Sequence, residues 1–170
     1  MLDVKDNAVL AMATSPTYDL KDYKTKYDEI LAADNTPLLN RATCGLYRPG
    51  STFKTITATA GLNEGIVTGN STYYCGHKMQ FYDVEYGCTG WHNDIAVAEA
   101  LKVSCNIYFY ELSRRLGIDK ISEYASMYGF GQHTGLETGD YAGAIGNPER
   151  FNELGLDWTV GQVIQAGIGQ

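Results

Sequence analysis

Residues 94–129 limit the possible fold more than any other stretch, because apolar side chains recur there at helical spacing in three successive blocks. Val97, Ala100 and Leu101 follow Asp94, a residue type that caps helices. Phe109, Leu112 and Leu116 share a face in residues 106–116, and Gly117 stands where such a helix would end. Asp119 can cap a third helix bearing Ile121, Tyr124, Ala125 and Tyr128, stopped by Gly129. Amphipathic helices need a core against which to bury their apolar faces. The composition supplies one: 44% of residues are hydrophobic and 19% charged, which excludes global disorder. At 170 residues, the expectation is one domain or one large piece of a domain.

The flanking segments are less regular. Apolar runs at 1–4 and 8–13, separated by Lys5-Asp6-Asn7, read as a β-hairpin ended by Ser15-Pro16. Residues 22–33 place Tyr23, Tyr27, Ile30 and Leu31 on one helical face, and Thr36-Pro37 and Arg48-Pro49-Gly50 mark loops. After Gly50 the pattern is ambiguous. Thr55, Thr57 and Thr59 alternate with Ile56, Ala58 and Ala60 as in a strand, yet Phe53, Ile56 and Ala60 fit a helix ending at Gly61. Residues 129–170 read as loops with short elements, and no internal repeat is present. The 13 basic against 20 acidic residues leave a net charge of −7, which argues against nucleic acid or an anionic membrane surface as partner. Uncharged stretches such as 9–18 are too short and polar to span a bilayer, and no secretion signal opens the chain.

The four cysteines are Cys44, Cys75, Cys88 and Cys105, with no C-x-x-C pair. Cys75 and Cys88 bracket a polar segment with His77 and Asp83, and His92 follows. Unremarkable thiols or one disulfide rank ahead of a zinc clip here. If zinc is bound, Cys75, Cys88 and His92 are the first ligands, with His77 or Asp83 completing four. Cys44 and Cys105 read as buried thiols rather than ligands.

The chemistry concentrates in Pro49-Gly50-Ser51-Thr52-Phe53-Lys54. If a helix begins near Ser51, Lys54 follows one turn later and the two side chains can meet. A serine hydroxyl becomes a useful nucleophile only when a neighbour takes its proton. A lysine can do so when uncharged, and burial and the positive end of a helix both push its pKa down. Ser-x-x-Lys alone is a weak signal, and a surface Ser and Lys on an amphipathic helix would normally explain it. The context is more specific: Asn40-Arg41-Ala42 precedes Tyr47-Arg48-Pro49-Gly50-Ser51-Thr52-Phe53-Lys54, and Ser104-Cys105-Asn106-Ile107-Tyr108-Phe109 follows.

With these boxes the chain resembles the transpeptidase domain of class B penicillin-binding proteins, relatives of the serine β-lactamases. The likeness extends to Ala8-Val9-Leu10-Ala11-Met12, Pro37-Leu38-Leu39, Gly129-Phe130-Gly131 with Thr134-Gly135, and Gly167-Ile168-Gly169-Gln170. It implies an α+β, β-lactamase-like fold, here the mainly helical half plus the N-terminal hairpin, and it makes the segment after Gly50 the active-site helix. It also implies roles. Ser51 would attack the carbonyl between the terminal D-alanines of a peptidoglycan stem peptide, and Lys54 would be the general base. Ser104 would relay a proton to the leaving amine, and Asn106 would hold Lys54 and the substrate amide. The other reading of Ser104 and Asn106 is a helix N-cap. The implied partners are stem peptides, β-lactam antibiotics and a cell-wall synthesis complex, with no cofactor required. The implied location is the outer face of the cytoplasmic membrane, through an N-terminal anchor.

Some positions depart from the family pattern. Arg48 stands where proline is frequent, and Gly90-Trp91-His92-Asn93 where relatives often show Gly-His-Gly; a loop hydrogen-bonding role for His92 ranks ahead of a ligand role. No lysine is followed by Thr-Gly or Ser-Gly, the family's third box. Residues 1–170 are therefore expected to be a partial transpeptidase domain, impaired in isolation. The competing functions are a class D-like β-lactamase, a non-enzymatic penicillin-sensing domain, and a structural module with a dead site.

Overall fold

The helical periodicity of residues 106–127 is realised as the longest element of the chain, in a computed structural model that describes all 170 residues. In chain order the elements are α1 (Tyr27–Ala32), a 3₁₀ turn (Gly50–Phe53), α2 (Lys54–Asn63), β1 (Thr72–Cys75), β2 (Lys78–Phe81), β3 (Val84–Gly87), β4 (Asn93–Ala96), α3 (Val97–Lys102), α4 (Asn106–Met127), α5 (Pro148–Glu153) and α6 (Val160–Ala166). The chain divides into two compact units: Met1–Tyr47 with His133–Gly143, and Arg48–Gln132 with Ala144–Gln170. No helix is long and apolar enough to cross a membrane.

In the second unit α4 is the central element and packs against α2, α6 and β1. Tyr108, Phe109, Leu112 and Ile121 of α4 meet Ile56 and Ala60 of α2 and Ile164 of α6 in one buried cluster. Each fully buried Leu or Phe there contributes about 1.5–3 kcal/mol relative to exposure. At Gly117 (φ 77°, ψ 164°) α4 breaks, so the two helices expected on either side of that glycine are present and meet at a kink.

The strand-or-helix ambiguity after Gly50 resolves as helix. The threonines of α2 are compatible with it because the hydroxyls of Thr57 and Thr59 are satisfied and Thr55 is exposed to solvent. Thr57 Oγ1 donates to Gly167 O at 2.7 Å in the core, and Thr59 Oγ1 donates back to Thr55 O at 2.9 Å. Tertiary burial outweighs the modest propensity penalty of β-branched residues. Gly61, expected at the helix end, lies inside α2.

One capping expectation fails here. Asp94 does not cap a helix: it lies in β4 opposite Tyr74 of β1, and α3 begins with Ala96 as its N-cap. The polar segment between Cys75 and Cys88 is built from strands β2 and β3. β1 pairs antiparallel with β4, and β2 with β3, as separate two-stranded sheets. Their four-residue lengths and half-exposed faces carry no strong alternation.

In the first unit the N-terminal hairpin shrinks to a single bridge, Leu2 with Val9, closed through Asn7 at φ 60°. The helix expected over 22–33 is reduced to α1, none of whose residues is buried. Tyr23, Tyr27 and Leu31 stay exposed, so the periodic face has no core to bury against. Arg41 braces the loop before it by donating to Asn35 O, Thr36 O and Thr36 Oγ1.

Candidate active site

Ser51 sits in the middle of the 3₁₀ turn that leads into α2, and its side chain is exposed. The turn is pinned on both sides. Thr52 Oγ1 donates to Pro49 O at 2.8 Å, and Gly50 N donates to Gly169 O at 3.0 Å. Gly169 adopts φ 77°, and a Cβ there would lie 2.4 Å from Gly50 O. Gly169→Ala is therefore expected to destabilise the fold by about 1–3 kcal/mol through overpacking, and to slow reactions at Ser51. A chemical melt and a penicillin-labelling rate check both parts.

Lys54 opens α2 one turn later and is only 1% exposed. Its Nζ donates to Ser104 O at 2.8 Å, to Ser104 Oγ at 3.0 Å and to Asn106 Oδ1 at 2.6 Å. Burial lowers the Lys54 pKa from its ordinary value, opposed in part by the electrostatic influence of the neighbouring Cys88 and Cys105 sulfurs. No hydrogen bond joins Ser51 Oγ to Lys54; all three ammonium protons go to Ser104 and Asn106. An uncharged amine has one fewer proton to give and a lone pair to offer, so deprotonation frees Nζ to accept from a hydroxyl.

Ser104 and Asn106 are delivered by the junction of α3 and α4. Ser104 has φ 55°, a left-handed conformation costing a non-glycine residue about 1–2 kcal/mol. In that conformation its carbonyl and hydroxyl both reach Nζ. The helix cap is neither Ser104 nor Asn106 but Cys105, whose sulfur accepts from Tyr108 N. The two polar side chains are thereby left free for Lys54.

A second constellation backs directly onto this one. Ligand atoms of Cys75, Cys88, Cys105 and His92 all lie within 4.8 Å of one another. Cys75 Sγ is 3.4 Å and Cys88 Sγ 3.7 Å from His92 Nδ1, and Cys88 Sγ is 3.9 Å from Cys105 Sγ. Tetrahedral zinc with Zn–S of about 2.3 Å and Zn–N of about 2.0–2.1 Å needs ligand separations of about 3.5–3.8 Å. The donor set and its spacing therefore fit zinc. His92 is turned inward across Gly90, where a Cβ would stand 2.9 Å from the imidazole Nε2. Burial alone would raise the Cys88 pKa, but backbone N–H groups of Gly90, Ile107 and Asn106 outweigh it and bring the thiol to about 6. Burial pushes Cys105 up to about 12.

A family model for the penicillin-binding protein transpeptidase domain matches residues 1–169. The chain belongs to the penicillin-binding protein transpeptidase family. Its α+β content is that of a part of the transpeptidase fold. Peptidoglycan D,D-transpeptidase MrdA of Escherichia coli (strain K12) is 31% identical over 182 residues, covering 99% of the chain and 28% of that protein. The chain thus spans little more than a quarter of the length of this relative. PBP2 of Pseudomonas aeruginosa, solved in complex with WCK 5153, superposes with a TM-score of 0.82 at 34% identity, covering 95% of this chain and 39% of that one. A chain of a peptidoglycan synthase complex that coordinates polymerization and crosslinking gives a TM-score of 0.86 at 33% identity, covering 99% of this chain and 30% of that one.

Of the site residues expected from this transpeptidase sequence, the structure gathers Lys54, Ser104 and Asn106 around one nitrogen, with Ser51 one turn away. Of the metal candidates it gathers Cys75, Cys88 and His92. His77 and Asp83 are corrected out of the set. His77 stacks its ring on Trp91 with centroids 5.5 Å apart, and Asp83 lies in the turn between β2 and β3. The fourth member is Cys105, read from sequence as a plain buried thiol. Its signal was position: it lies between the two residues that bind Lys54. All four cysteines are unpaired thiols, so the disulfide reading of Cys75 and Cys88 does not hold, and Cys44 is half-buried and outside the cluster.

Proposed function

We propose that this chain carries the acylation machinery of a serine D,D-transpeptidase that cross-links peptidoglycan stem peptides. The observation that carries the reading is the burial of Lys54 in a three-acceptor cage one helical turn from an exposed serine hydroxyl. In the uncharged state Lys54 Nζ takes the Ser51 proton as Oγ attacks the carbonyl between the two terminal D-alanines. Ser104 Oγ, within hydrogen-bond reach of Nζ, passes a proton to the departing D-alanine amine as the C–N bond breaks. Asn106 holds Nζ through Oδ1 and orients the substrate amide. An amine from a neighbouring stem then attacks the Ser51 ester, forming the new amide and restoring the serine hydroxyl. A β-lactam enters the same first step and remains as a Ser51 ester.

The complete protein is proposed to act at the outer face of the cytoplasmic membrane, where its substrate is assembled, and within a cell-wall synthesis complex. The likeness to a chain of a peptidoglycan synthase complex supports this. No cofactor enters the chemistry. We further propose structural zinc held by Cys75, Cys88, His92 and Cys105, where it would charge-neutralise the thiolates and fix the backbone on both sides of Cys105.

Ser51→Ala is expected to abolish covalent labelling of the full-length protein by a fluorescent penicillin, read as loss of the gel band with an unchanged melting curve. Undiminished labelling of that variant would remove Ser51 as the nucleophile.

A further inference from the structure

The sulfur cluster and the lysine cage share one piece of backbone. Cys105 lies between Ser104 and Asn106, the two residues that hold Lys54. Asn106 N donates to Cys88 Sγ at 3.2 Å, and Asn106 Nδ2 donates to Gly87 O at 3.3 Å. A displacement of either sulfur is thus transmitted to the groups that position Nζ. The Cys88 and Cys105 sulfurs stand 3.9 Å apart, whereas a disulfide requires about 2.05 Å. Closing that gap displaces at least one of the two sulfurs, either Cys88 Sγ, which holds Asn106 N, or that of Cys105 between Ser104 and Asn106, and a misplacement of about 1 Å at reacting groups can cost about 10²-fold in rate.

We propose that the three-thiol cluster is a redox switch on acylation: a peroxide converts Cys88 and Cys105 to a disulfide, which removes two metal ligands and draws Ser104 and Asn106 off Lys54. The inference rests on the zinc and cell-envelope readings above, since outside the cytosol thiols lack the glutathione buffer that keeps them reduced. Cys88 is the attacking sulfur. It is 7% exposed where Cys75 and Cys105 are fully buried, so peroxide reaches it first.

The atoms balance in two steps. The Cys88 thiolate attacks one oxygen of hydrogen peroxide, the O–O bond breaks, and hydroxide leaves, giving the sulfenic acid. The Cys105 thiolate then attacks that sulfur and expels a second hydroxide, giving the disulfide. Two protons from solvent convert the two hydroxides to water. The two electrons lost by sulfur are those gained by peroxide, and zinc leaves as the divalent ion.

The test treats the full-length protein with hydrogen peroxide and follows three readouts: zinc release to a chromogenic chelator, disulfide-linked peptides by mass spectrometry, and the rate of fluorescent-penicillin labelling. The expected result is a Cys88–Cys105 linked peptide, zinc in solution, and labelling slower by about 10²-fold, all restored by dithiothreitol with added zinc. A mapped Cys88–Cys105 disulfide with undiminished labelling overturns the switch, as does lost labelling with both thiols still reduced. Cys88→Asp keeps an oxygen ligand that peroxide does not oxidise. Its labelling rate, relative to its own untreated rate, should not respond to peroxide, and a response as large as that of the parent protein overturns the proposal. Failure of the zinc reading is separately visible, as protein that releases no zinc yet still forms the disulfide and slows.

Discussion

Lys54→Ala is expected to slow acylation of Ser51 by penicillin about 10²- to 10⁴-fold, the range over which a positioned general base acts. The substitution also leaves Ser104 O, Ser104 Oγ and Asn106 Oδ1 without their donor. A buried polar group left unpaired typically costs about 1–3 kcal/mol, so the variant should also melt earlier. Lys54→Met separates the effects, because it refills most of the volume and still lacks the base. Stopped-flow labelling and a urea melt measure the two consequences independently. Should Lys54→Met label as fast as the parent, the base would have to be sought elsewhere.

The same residue sets a pH dependence with a definite sign. Burial lowers the Lys54 pKa, so the uncharged amine appears at lower pH than for free lysine. The labelling rate should rise with pH through that depressed value and level off above it, with a midpoint clearly below the ordinary lysine value of about 10.4. Stability moves in the same direction. Between the folded and unfolded pKa values the unfolded chain binds more protons, so the contribution of Lys54 to stability increases as pH rises across that window.

With zinc held by the four ligands as proposed, its removal is expected to have the second-largest effect. A ligand present at about 1,000 times its dissociation constant stabilises the state that binds it by about 4 kcal/mol. For a chain of this size each kcal/mol corresponds to about 2–4 °C, so chelation should lower the melting temperature by about 8–16 °C. Zinc should restore it and magnesium should not, because three thiols and an imidazole suit a borderline-soft ion. Cys105→Ala should reproduce the loss, whereas Cys44→Ser, outside the cluster, should retain the full metal content. Metal analysis of the purified protein decides the matter directly: substoichiometric zinc with no response to chelator would retire the site.

The legible parts of this protein were those written in local spacing. Ser51 and Lys54 are three residues apart, so once the segment after Gly50 is helical they stand one turn from each other. Ser104 and Asn106 flank a single residue, so a tight junction delivers both to the same partner. Gly117 and Gly129 stop helices because their backbone requirements are local. The partners of those groups were not legible. The three acceptors around Nζ lie fifty or more residues from Lys54 in sequence, and no pattern in one sequence states which of many polar groups will meet across that distance.

The errors have the same origin. Asp94 is a good capping residue, yet pairing of β4 with Tyr74 and its neighbours in β1 took it into a strand. The tyrosines of residues 22–33 repeat at helical spacing, yet only Tyr27–Ala32 is helical, because no residue of that face is buried in a core. Cys105 looked inert beside its neighbours in sequence, and only the folding of β1, β3 and the loop before β4 around the start of α4 surrounded it with two more sulfurs and an imidazole. The sequence by itself determined the family and the spacing of the candidate site residues, since residue type and short-range register are properties of the covalent chain. The tertiary structure alone decided the lowered pKa of Lys54 and the membership of the sulfur cluster, since burial and ligand distance exist only after distant segments have packed together.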